Sequence, residues 1–99
     1  MDIQQSTLVF KFSENNNISD LNIKSEIKHF IADLRGVDKE VTARVRNKFI
    51  TFDNSISEKN GSFVIVCEFS FDDSLKIVPT LQEAYDYIEM EEIERQLKL

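Results

Sequence analysis

The chain has 99 residues, of which 41% are apolar and eight are phenylalanine, and its formal net charge is −6. That length makes one domain, and so many large hydrophobes exclude a disordered chain, while no apolar run approaches a membrane span. The acidic balance argues against a general nucleic-acid binder, because phosphate contacts need clustered Lys and Arg. The opening residues, MDIQQSTLVF, lack the basic leader and long apolar stretch of a signal peptide, so a cytoplasmic location is the expectation.

TLVFKF, residues 7–12, alternates Leu8, Phe10 and Phe12 against Thr7, Val9 and Lys11, which predicts a strand with one buried face. SENNNISD, residues 13–20, reads as a polar turn. Ile23, Ile27, Phe30, Ile31 and Leu34 then recur at helical spacing, with Asp20 or Asn22 to cap the start and Gly36 to supply a left-handed end. His29 lies beside that stripe. With no second His and no neighbouring Cys to share a metal, it is assigned a packing or solvent-facing role.

VTARVRNKFITF, residues 41–52, carries Val41, Ala43 and Val45 at period two, then Ile50 and Phe52 on the opposite parity. This predicts short strands around a bulge or turn at Arg46-Asn47-Lys48. The rival reading is a short helix over 38–48, with Val41, Val45 and Phe49 spaced by four; the density of β-branched residues favours strand. Lys59-Asn60-Gly61 signals a turn. SFVIVCEFSF, residues 62–71, predicts a central strand buried on both faces at its start, with Glu68 and Ser70 outward and Phe69 and Phe71 inward further on. LKIV, residues 75–78, is a short last strand, stopped by Pro79, after which Thr80 and Glu83 can form a reciprocal capping box. Leu81, Ala84, Tyr85, Ile88, Ile93 and Leu97 mark the apolar stripe of the final helix. The order β-α-β(β)-β-β-α predicts an α+β two-layer sandwich, one mixed sheet of four to five strands with two helices on one face.

Catalytic chemistry finds little support. Gly36 and Gly61 are too far apart for a phosphate loop, His29 is the only histidine, and Cys67 lies in the apolar run FVIVC, where burial is expected rather than reactivity. Glu89, Glu91, Glu92 and Glu94 read as a solvated helix face, with Glu91 and Arg95 as an i,i+4 pair. No enzyme activity, metal or cofactor is expected. Charge is instead segregated: Arg35, Lys39, Arg44, Arg46 and Lys48 crowd one segment, while the last helix is acidic. Arg44, Arg46, Lys48, Met90, Glu91 and Glu92 are the candidate partner surface, since Met90 and Tyr87 fall off the helical stripe.

The wording SFVIVCEF at 62–69 and LKIVPTLQEAYDYIEMEEIERQLKL at 75–99 resembles the C-terminal half of small STAS-like proteins, the anti-sigma-factor-antagonist family. It is most similar to a short bacterial branch whose members end in VPT…EA…EMEEIER wording. The resemblance covers about residues 62–99, and implies STAS-like packing of that half and a regulatory role by docking on a protein partner. In that family a strand leads to a loop with a phosphorylatable Ser or Thr at a helix N-terminus. FITFDNS, residues 49–55, stands where that unit would fall, so Ser55 is the nearest match to the switch hydroxyl. The family's Asp-Ser-Gly-Leu wording is absent, and the roughly seven residues between Ser55 and the FVIVC strand cannot hold the helix the family places there, so 49–56 and 62–70 are expected to pair as an antiparallel hairpin. Two alternatives stand beside the docking module: a small-ligand or enzyme domain with a pocket between sheet and helices, and a module that self-associates through the edge of strand 7–12 or 75–78. The expected partner is a protein, with neither nucleic acid nor membrane involved, and the chain itself is expected to be a monomer or weak homodimer.

Overall fold

The computed structural model describes residues 6–11 and 27–97. Its elements in chain order are β1 (Thr7–Lys11), β2 (His29–Asp33), α1 (Lys39–Glu58), β3 (Ser62–Val66), β4 (Ile77–Val78) and α2 (Leu81–Leu97). The strands form one sheet in the order β1-β2-β3-β4, and every neighbouring pair is parallel. Register is set by apolar rows: Leu8 lies beside Phe30, Phe30 beside Phe63, and Ile65 beside Ile77. Among the described residues the architecture is α+β, a four-stranded parallel sheet with two helices.

Side chains alternate across a strand, so β2, β3 and β4 each feed two cores, while β1 contributes Leu8 and Phe10 to one. Phe30, Ala32, Phe63 and Ile65 point to one face, where Val41, Phe49 and Ile56 of α1 cover them. Ile31, Val64 and Val66 point to the other, where Ala84 and Ile88 of α2 pack. The helices therefore lie on opposite faces of the sheet, which corrects the two-layer expectation of both on one face. Burial on both sides is also why β2 and β3 read as continuous apolar runs rather than alternating ones. On the α1 side the rings interlock: Phe52 meets Phe30 at 5.2 Å and Phe63 at 5.0 Å between centroids, both edge-on.

Three further expectations are overturned. Residues 29–33 form the inner strand β2, so the helix expected from Ile23 to Leu34 does not extend over them; its start, with the turn at 13–20, Phe12 and the caps Asp20 and Asn22, lies outside the described residues. A short buried strand and a helix segment share the same apolar density, and spacing alone does not separate them. Residues 39–58 are one helix rather than strands, with Val41, Phe49, Asp53 and Ile56 on its buried side. The helical spacing of Val41, Val45 and Phe49 outweighed β-branching, because a face that buries into a core overrides intrinsic propensity. The hairpin of 49–56 with 62–70 is accordingly absent among the described residues: β3 pairs in parallel with β2 and β4, and the sheet is not mixed.

Other readings hold in part. β3 is buried at every position and central to the sheet, but it ends at Val66, so residues 67–71 do not continue the strand expected over 62–71, and β4 is confined to Ile77–Val78 of the expected 75–78. Residues 67–76 join β3 to β4 without a helix, passing on the α1 side, where Leu75 is buried and Phe69 and Phe71 pack against the core. Cys67 is buried, and its N–H donates to the Val78 carbonyl at 2.9 Å. The Lys59-Asn60-Gly61 turn follows α1: Asn60 takes a φ of 62°, and the Gly61 N–H returns to the Ile56 carbonyl at 3.0 Å. A Cβ on Gly61 would collide with the Lys28 carbonyl, so only glycine lets β3 begin this close to the start of β2.

Candidate functional site

α2 is two helices in character. Its start is specified locally: Pro79 ends β4 and the Thr80 Oγ1 accepts from the Glu83 N–H at 3.2 Å, the forward half of the expected capping box. Through its first half the helix is conventionally amphipathic, with Ala84 and Ile88 fully buried against Ile31, Val64 and Val66. Beyond Ile88 the polarity reverses. Helical residues advance by about 100° each, so the sheet-facing line through Ala84 and Ile88 continues into Glu91, Glu92 and Arg95. The same rotation turns Ile93 about 180° from Ala84, and Met90 and Leu97 flank it on the outer side. Met90, Ile93 and Leu97 are 63%, 50% and 81% exposed. Ile93 and Leu97 thus leave the buried stripe to which their spacing assigned them.

Beneath that second half lies an ionic network at the amino ends of β2 and β3. The Arg95 guanidinium donates to the Gly61 carbonyl at 2.7 Å, to the Ser62 Oγ at 3.0 Å and to the Glu92 Oε1 at 2.6 Å. Lys28 Nζ stands 3.4 Å and His29 Nε2 stands 3.6 Å from the same Glu92 oxygen. Burial works against the Glu92 carboxylate, but the Arg95 hydrogen bond and the Lys28 charge hold its pKa below the ordinary value. His29 is buried, and its Nδ1 accepts from the Ser62 N–H at 3.1 Å, so the neutral ring carries its proton on Nε2, towards Glu92. Burial lowers the His29 pKa and outweighs the opposing pull of Glu92. A protonated ring would set its own N–H against that of Ser62. The adjoining Glu91 Oε1 has no hydrogen-bond partner, and Arg95 lies 3.9 Å away.

The candidate partner residues do not form one surface. Arg44, Arg46 and Lys48 are exposed on α1, on one face of the sheet, and Met90, Glu91 and Glu92 belong to α2 on the other. Arg46 is further tied to Asp72 at 2.9 Å, and Glu91 and Glu92 turn inward rather than out. Met90 alone of the α2 trio is a surface group. Ser55 is exposed near the C-terminal end of α1, not at a helix N-terminus. Between α1 and the 67–76 link runs an open groove of about 540 Å³, lined by Lys39, Thr42, Arg46, Phe69 and Phe71 among others. Its cations are engaged, Lys39 over the Phe69 ring at 5.3 Å and Arg46 by Asp72. Among the described residues no group of three or more His, Cys, Asp and Glu could hold a metal, and no helix is long and apolar enough to cross a membrane.

The reversal of α2 was readable in sequence only as two residues off a stripe. Its signal is the five-residue step from Ile88 to Ile93, which breaks the three-and-four spacing, with Glu91, Glu92 and Arg95 filling the positions the stripe vacates. No family model, curated protein or solved structure matches the chain.

Proposed function

We propose that the chain is a non-enzymatic regulatory module of the STAS-like kind that docks on a protein partner through the outer face of α2. The observation that carries this reading is the reversed second half of that helix. Charged side chains are placed inside while Met90, Ile93 and Leu97 stand outside, and a contiguous apolar ridge of this sort marks an interaction site. A second feature is compatible with this reading, though it lies outside residues 62–99, which carry the resemblance. β2 runs through residues 34–38 into the N-terminus of α1, the strand–loop–helix unit that STAS-like proteins use, and it begins at Asp38 rather than near Ser55. No serine stands at that helix start; the nearest hydroxyl, Thr42, is buried and donates to the Lys39 carbonyl at 2.7 Å. The docking proposed here therefore needs no phosphoryl switch at that position.

Affinity capture from lysate of the expressing cells, comparing the wild type with Ile93→Asp, tests the reading. A protein recovered in stoichiometric amount with the wild type and lost with the variant is the expected result. Recovery that ignores the substitution would place docking elsewhere and sink the proposal.

A further inference from the structure

We infer that the occupant of the α2 ridge is a cationic amphipathic helix of another protein, an assignment that rests on the docking reading above. Met90, Ile93 and Leu97 are spaced at i, i+3 and i+7 and make a line about 10 Å long, the geometry that receives one face of a crossing helix. Among the described residues of α2 the exposed charges are of one sign: Asp86, Glu89 and Glu94 border the ridge, while Arg95, the one cation of this helix among them, is turned inward onto Gly61, Ser62 and Glu92, where Lys28 also lies. The surface therefore presents an apolar line in an acidic frame, and its complement is an apolar line framed by Lys or Arg.

The other occupants fit less well. A second copy packed α2 against α2 would set Glu89 and Glu94 against their equivalents, in a chain already at net charge −6. A second copy packed through α1 would offer Arg44, Asn47, Lys48 and Thr51, all exposed and polar, and the nearest apolar groups, Phe69 and Phe71 of the groove, are packed against their own core with Lys39 over the Phe69 ring. Residues 12–26 of the chain itself carry Glu14, Asp20 and Glu26 against Lys24, and so repeat the acidic sign. An anionic membrane surface is repelled for the same reason.

The probe is a fluorescently labelled synthetic peptide of about 18 residues with leucines at i, i+3 and i+4 and lysines elsewhere, long enough to hold a helix. A control peptide keeps the leucines and replaces every lysine by glutamate. Both are titrated with the full chain and followed by fluorescence anisotropy. The wild type is expected to bind the lysine peptide, more weakly as salt rises, and to leave the glutamate peptide free. The triple variant Met90→Ser, Ile93→Ser, Leu97→Ser retains every carboxylate and is expected to bind about tenfold more weakly or worse. These are exposed positions, so circular dichroism and the urea midpoint should stay at wild-type values. Equal affinity of the wild type and the triple variant would overturn the inference, as would equal binding of the two peptides. Light scattering that reports a dimer abolished by Ile93→Ser would overturn it in favour of a second copy. If the lysine peptide binds through the ridge but lysate capture recovers nothing dependent on Ile93, the cationic assignment stands and the regulatory reading fails. If capture succeeds and the peptides are not distinguished, the docking reading stands and the cationic assignment fails.

Discussion

His29 opens β2 and is buried, with the Ser62 N–H donating to its Nδ1. Nothing local announces that contact, because Ser62 is 33 residues distant in the chain and the two meet only through strand register. The environment makes a pH-dependent prediction. The folded pKa of His29 lies below the ordinary 6.5, so the unfolded chain binds the extra proton first. Its contribution to stability is complete above about pH 6.5 and is lost as pH falls from there to the lowered folded value. Burial outweighs the four charged groups that face this ring, of which Glu92 and Glu91 raise its pKa and Lys28 and Arg95 lower it. Urea midpoints of the wild type should fall between pH 7.5 and pH 5.5, while His29→Gln, which keeps an acceptor for Ser62, should show a smaller fall. Equal falls in both would mean that His29 does not titrate as described.

At the scale of elements, legibility followed the strength of local specification. The strand–Pro–helix unit from Ile77 to Leu97 was readable because Pro79 and Thr80 act on adjacent residues, and the forward half of the expected capping box is made. Removing it by Thr80→Ala should cost about 1 kcal/mol, measured as a lowered urea midpoint, with Thr80→Ser restoring most of it. A Thr80→Ala variant as stable as the wild type would show that the Pro79 turn alone sets the helix start. α1 was less legible. Its N-cap position, Asp38, makes no side-chain cap hydrogen bond, so no strong start signal stood before Lys39, and the β-branched residues pointed to strand. What makes it a helix is the sheet, whose Phe30 and Phe63 receive Phe49, Phe52 and Ile56 along one side. Tertiary burial of this kind is invisible until the partner strands are placed.

For the whole molecule, the sequence yielded the class, α+β in one chain, and the central position of β3, but not the sheet's direction or the sides taken by the helices. Direction depends on connections. Once 39–58 is helix, β2 and β3 become a parallel pair around a crossover, and α2 must take the face that α1 leaves open. Amide hydrogen exchange should reflect this arrangement: Val64 and Ile65, central and covered on both faces, exchange only on global unfolding, while edge strand β1, where Val9 is 37% exposed, exchanges faster. β1 is an edge among the described residues, and protection equal to that of β3 that falls on dilution would show it covered by another chain and would favour self-association.

The placement of α2 also bears on synthesis. Of the two faces of the sheet, the one bearing Ile31, Val64 and Val66 is covered, among the described residues, by the helix that leaves the ribosome after all four strands. Until α2 has emerged and docked, that apolar face lacks the cover the helix gives it, a sticky surface that invites chaperones or neighbouring nascent chains. That interval ends when the last turns of α2 arrive and Arg95 closes onto Gly61 and Ser62, so the residue that orients the ridge outward is also the latch that finishes the fold.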